Sequence, residues 1–180
     1  MNSRSIPADW LPQYTYADYA RWEGDWELIF GFPYAMSPSP KRTHQAAGRN
    51  FVRLADTALQ QAKLQCECEV YYELDWIVNE NTVVRPDVMI VCGKFDEDFL
   101  SFPPALILEI ASEGTIMKDR NVKYSLYQSQ GVRYYVMVHP ETKSAESFQL
   151  INNQYQQVEL KEFQLTSTCS IPLDIQQIWL

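Results

Sequence analysis

Two apolar runs, TVVRPDVMIV (82–91) and ALILEIAS (105–112), followed by EGTIMKDRNVK (113–123), decide how this chain folds. Both runs are short, rich in Val, Ile and Leu, and bounded by Pro, Asn or Gly, which is the pattern of strands buried in a sheet. Each carries one acidic residue, Asp87 and Glu109. A carboxylate inside such a strand costs several kcal/mol unless it is paired, protonated or bound to a metal. Period-two alternation puts Arg85, Asp87 and Met89 on one strand face, and Ile107, Glu109 and Ala111 on one face of the other. Neighbouring strands would then aim both carboxylates into one pocket. Two hard oxygen ligands with room for water suit Mg2+ or Mn2+.

Outward from this centre, Met117–Gln130 is expected to be helical, with Val122 and Leu126 inward and Gly131 as its stop. VRYYVMVH (132–139) then reads as a strand, giving a strand–helix–strand unit over 105–139 with a right-handed crossover. Upstream, Thr43–Leu64 shows apolar residues at spacings of three and four, from Ala47 through Phe51 and Ala55 to Leu59. Arg42, Arg49 and Arg53 fall on its other side, as a solvated face or as a stripe contacting phosphates. WELIFGFPYAM (26–36) reads as a hairpin, and Ser37–Pro40 as a break. Val83–Cys92 is expected to be one strand, paired in a hairpin across Asn79–Asn81. YADYARW (16–22) suggests a short helix, SAESFQLI and YQQVELKEFQL edge hairpins, and IPLDIQQIWL (171–180) an amphipathic end that packs back on the core. The expected class is α/β, bordering on α+β, with a mixed sheet. One domain over 1–180 is expected, with a core of about 15–150, an arm over 1–14 and trailing strands and a C-terminal segment over 151–180.

The 180 residues are 46% hydrophobic with 13% aromatic, which argues against disorder. No apolar run is long enough to span a membrane, and MNSRSIPADWLPQY lacks the apolar core of a signal peptide. Cys66, Cys68, Cys92 and Cys169 show no disulfide-framework spacing, so reduced thiols in a cytoplasmic protein are expected. With two His and no C-x-x-C, the sequence offers no structural zinc motif. P-loop and G-x-S-x-G signatures are absent, and nothing supports sugar binding around an Asp87–Glu109 glycosidase pair. The net charge of −8 opposes nucleic-acid binding on average, although local basic patches and metal-neutralised carboxylates matter more than the sum.

Pro86-Asp87 followed by Glu109-Ile110-Ala111 is similar to the PD-(D/E)XK nuclease signature. Several linked segments go further: WELIFG (26–31), ELDWIVNENTVVRPDVMIV (73–91), PPALILEIAS (103–112), Thr115-x-x-x-Asp119-x-x-x-Lys123, YxxxGV (127–132) and YYVMVHP (134–140). Together they resemble the Uma-two family of restriction endonucleases. The resemblance implies a restriction-endonuclease-like α/β core, a central mixed sheet flanked by helices. It implies a Mg2+-dependent endonuclease acting on DNA, with Asp87, Glu109 and Lys123 catalytic, and Glu27, Asp87 and Glu109 around the metal. Dimeric nucleases, which cut two strands with two sites, make a homodimer the expectation. The sequence departs from the signature at Ala111, where the strand lysine belongs, and the family offers Lys123 on the next helix instead. Simpler roles stand beside these: Asp87 capping a turn, Glu27 facing outward, and Lys123 paired with Asp119 four residues earlier. A catalytically silent relative that binds nucleic acid or a protein is the alternative.

Overall fold

The computed structural model describes residues 11–36, 41–64, 66–112 and 118–180. The expected Ser37–Pro40 break and the Glu113–Ile116 loop lie outside them. A six-stranded sheet forms the centre, built from β3 (Cys68–Tyr72), β6 (Val88–Cys92), β7 (Leu106–Ile110), β8 (Tyr134–His139), β9 (Ser144–Ile151) and β10 (Gln154–Val158), in the order β10-β9-β8-β7-β6-β3. Only β7 and β8 run parallel, and the chain between them holds helix α3 (Tyr124–Ser129), as strand–helix–strand spacing requires.

Alternation along the central strands sorts two cores. Val88 and Ile90, Leu106, Leu108 and Ile110, and Tyr134, Val136 and Val138 face one side. There they meet Ala47, Phe51 and Ala55 of helix α2 (Arg42–Gln61), together with Ile175 and Ile178 of a closing 3-10 turn and the small hairpin of β11 (Glu162–Gln164) and β12 (Ser170–Pro172). The opposite side presents Met89, Ile107, Tyr135 and Met137 to Leu126 and Tyr127 of α3, and to Ile29, Trp76 and Val84. The last three belong to a second sheet, in the order β2 (Phe32–Ala35), β1 (Trp26–Ile29), β5 (Thr82–Val84), β4 (Trp76–Asn79). Helix α1 (Tyr16–Tyr19) lies beside β1.

Three expectations need correction. Val83–Cys92 is two strands: β5 pairs with β1 and β4, then Arg85-Pro86-Asp87 carries the chain across to β6 in the central sheet. Pro86 has no N–H to give a ladder, and the Arg85 N–H goes to the Glu27 carboxylate instead (2.9 Å). Arg85 and Asp87 therefore share no strand face with Met89. The second helix is not uniform, since Lys118–Lys123 winds as a π-helical turn before α3 begins. Finally, the cysteines are paired, Cys66 with Cys169 and Cys68 with Cys92. The Cys68–Cys92 partners face each other across the β3–β6 ladder, and Cys169 comes from the β11–β12 turn, a neighbour no spacing along the chain reveals.

Candidate active site

Glu109 is the fourth residue of β7 and points to the α3 side of the sheet, where its neighbours are otherwise apolar. Its Oε1 accepts from Lys123 Nζ (2.9 Å) and from the Tyr127 hydroxyl (2.7 Å). Lys123 and Tyr127 stand four residues apart, at the junction of the π turn with α3, so both side chains reach the same strand. Lys123 Nζ also meets Glu27 Oε1 at 2.7 Å. Glu27, Glu109 and Lys123 are each no more than 3% exposed. One ammonium therefore bridges two buried carboxylates from two different sheets. The head of Lys123 is held by charge-assisted bonds, the geometry that makes such burial tolerable. Burial, and then the Glu109 and Glu27 carboxylates, push the Tyr127 hydroxyl well above its ordinary range, so it stays a donor.

Asp87 lies one residue beyond the Val88↔Leu108 pair, opposite Glu109 in the continuing register. It does not share Glu109's hydrogen bonds. Its Oδ2 accepts from the Ile110 N–H (2.6 Å), and its Oδ1 is 3.3 Å from His44 Nε2. His44 sits in the first turns of α2, on the face that continues through Ala47, Gly48 and Phe51 into the core. Gly48 lets that helix approach closely: a Cβ there would come 2.7 Å from the Tyr72 ring and 3.1 Å from Ile110 Cδ1. The result is two adjoining clusters, Glu27–Lys123–Glu109–Tyr127 and His44–Asp87–Ile110, joined by the Glu109–Ile110 peptide.

The Arg85 side chain turns away from this centre. Its guanidinium binds Asp75 (2.7 Å) and Asp25 (2.8 Å), and Tyr19 donates to Asp75 (3.0 Å). The Asp75 bond holds Arg85 charged and pushes its pKa further up. Glu27 is buried rather than outward-facing, and Lys123 points inward. Arg42, Arg49 and Arg53 form one exposed stripe on the opposite side of α2 from His44. Ala111 is half-buried, its N–H bonded to the Val138 carbonyl (2.8 Å).

Two site residues carry no role in the sequence reading. His44 has a signal in retrospect, a polar residue at an apolar-face position of an amphipathic helix. Tyr127 has another, its i+4 spacing from Lys123. Among the described residues no three Asp, Glu or His side chains stand together as a ready metal cage, and Lys123 lies between Glu27 and Glu109. The donor chemistry nonetheless fits a hard dication. Three carboxylates meet one ammonium and one imidazole, and Mg2+ commonly uses one or two carboxylates plus waters rather than an all-protein cage.

A mixed central sheet flanked by helices, with acidic residues gathered at the end of its central strands and a buried lysine between them, defines a restriction-endonuclease-like α/β protein. The model of the Uma2 family, described as "Putative restriction endonuclease", matches residues 16–180, and the chain belongs to that family. A solved structure described as "a putative nuclease belonging to DUF820", from Anabaena variabilis, has the same fold, with a TM-score of 0.70 at 14% identity over 92% of this chain and 97% of that one. No curated protein matches the chain. No helix among the described residues is long and apolar enough to cross a membrane.

Proposed function

We propose that this protein is a Mg2+-dependent endonuclease that hydrolyses phosphodiester bonds in DNA. The observation that carries the reading is Lys123 Nζ held beside Glu109 at 2.9 Å, where the strand residue Ala111 supplies no amine. Asp87, just ahead of β6, and Glu109, in the adjoining β7, would hold the cation, with Glu27 nearby and Mn2+ an acceptable substitute. A cation held there would supply Lewis acidity and would favour deprotonation of a water.

The chain's own residues do the rest. Lys123 offsets negative charge that develops on the phosphate and orients the attacking water. Tyr127 and the Arg85 N–H fix the two carboxylates on either side of that ammonium. His44, held by Asp87, stands where it can take or return a proton. Two such sites in a homodimer would address both strands of a duplex.

The test is cleavage of supercoiled plasmid and of linear duplex by the purified chain in Mg2+, Mn2+ and EDTA. Cleavage that needs the metal and is lost in Asp87→Asn and Lys123→Ala is expected. The second reading, a silent nuclease-fold protein that binds nucleic acid or a protein, is favoured by Lys123 already neutralising both glutamates. Retained DNA binding without cleavage in any metal would select it.

A further inference from the structure

At the far end of β6 from Asp87, four sulfurs meet at one place. Cys66 and Cys169 are joined, Cys68 and Cys92 are joined, and the two pairs touch, with Cys68 Sγ 3.8 Å from Cys169 Sγ. Every cysteine of the chain is in this cluster. Each is positioned by a different part of the fold. The Cys66 N–H bonds Ala62 O at the end of α2 (3.1 Å), and Cys68 and Cys92 are cross-strand partners in β3 and β6. Cys169 is set in the β11–β12 turn by the Thr166 hydroxyl (3.0 Å) and by its carbonyl, which accepts from the Leu165 N–H (2.8 Å).

Two isolated crosslinks need no contact with each other. A mononuclear tetrathiolate site does: with metal–sulfur bonds of about 2.3 Å, the edge of the sulfur tetrahedron is about 3.8 Å. One distance between the two pairs, Cys68 Sγ to Cys169 Sγ, already has that value. Rotation of side chains within each pair would open the remaining edges. Cys66 and Cys169 are buried and Cys68 and Cys92 half-buried, so an ion would be enclosed on one side and reachable from the other. Among the described residues no histidine or carboxylate is bonded to these sulfurs, and an all-sulfur set selects a soft or borderline cation.

We propose that Cys66, Cys68, Cys92 and Cys169 form a structural zinc site in the reduced chain, and that the two disulfides are its oxidised, metal-free form. Two equivalents of a phosphine supply four electrons and become phosphine oxides, with water giving the oxygen and the four protons, so the two disulfides become four thiols. Binding of one Zn2+ converts these to thiolates and releases up to four protons. Two equivalents of a small-molecule disulfide or of a peroxide reverse the change, accepting the four electrons as the two sulfur–sulfur bonds form and the ion is expelled. The site clamps the end of α2 and the β11–β12 hairpin to the β3–β6 edge in either form.

The experiment uses the full chain, reduced with a phosphine, freed of metal and titrated anaerobically with Co2+ as a spectroscopic probe. The expected result is a one-to-one end point with the intense visible bands of a tetrahedral cobalt thiolate, bleached by one equivalent of Zn2+. Asp87→Asn should give the same titration, which separates this site from the carboxylate site and from any nuclease activity. Cys169→Ser should weaken binding by more than about 10-fold, and Cys68→Ser, at a more exposed position, serves if the first variant does not fold. A reduced chain without thiolate bands, or bands unchanged in both serine variants, overturns the proposal. So does a brown, iron-containing chain as isolated, since a cluster would hold the sulfurs farther apart than a single ion.

Discussion

Replacing Lys123 by Met keeps most of the apolar stem and removes the ammonium. What remains is Glu27 and Glu109, both buried, facing the space where Nζ stood 2.7 and 2.9 Å from their oxygens. Removing one partner of a buried ion pair is destabilising by about 3–5 kcal/mol, because the other charge is left uncompensated. Here two charges are left, with the Tyr127 hydroxyl on Glu109 and the Arg85 N–H on Glu27. The expected loss is therefore at the upper part of that range, read as a shift of the urea midpoint in EDTA with an unchanged m-value. The double variant Lys123→Met with Glu27→Gln removes one of the stranded charges. It should be more stable than Lys123→Met alone, with a coupling energy of about 1–3 kcal/mol. A Lys123→Met chain within about 0.5 kcal/mol of the parent would refute the reasoning, as would zero coupling to Glu27.

Tyr127→Phe tests the alkaline limb. The hydroxyl's folded pKa is raised from its ordinary 10.0, so its contribution is whole below about pH 10 and fades as pH rises, by up to about 1.4 kcal/mol per unit. The variant's urea midpoint should fall less steeply above pH 10 than the parent's, and equal slopes would contradict the assignment. Gly48→Ala sets overpacking of about 1–3 kcal/mol against a helix gain of about 1 kcal/mol, so a net loss in Tm is expected and a gain would mean the Tyr72 ring simply moves aside. Mg2+ at about 100 times its Kd should stabilise the parent by about 2.7 kcal/mol and leave Asp87→Asn unmoved in thermal unfolding. For the exposed arginines, Arg49→Ala with Arg53→Ala should reduce the salt slope of DNA binding by about two units, and an unchanged slope leaves the stripe a solvated face.

Strands β6, β7 and β8 were legible because alternation and β-branched composition act residue by residue, and both cores follow from that alternation. The amphipathic face of α2 was equally plain from Ala47, Phe51 and Ala55. What spacing along the chain does not encode is partnership across it. The break at Pro86 was present in the sequence as a missing N–H, but the apolar residues on both sides hid the change of sheet. Cys92 and Cys169 find their partners only because β3–β6 pairing and the β11–β12 turn bring them there. Glu27 and Lys123 were named through family likeness, while their mutual 2.7 Å contact depends on how the second sheet packs over α3.

The three-residue passage Arg85-Pro86-Asp87 ties the site to surfaces distant from it. One end is fastened by the Arg85 guanidinium to Asp75 and Asp25, its middle by an N–H to Glu27, and its far end by Asp87 to the Ile110 N–H and His44. A ligand that drew Asp87 toward Glu109 would pull on a short, proline-stiffened tether. That strain would reach Asp75 and the Tyr19 hydroxyl bound to it, and Trp22, edge-on to Tyr19 at 5.6 Å and to Trp26 at 5.8 Å, would serve as a natural fluorescent reporter of what happens at the carboxylates.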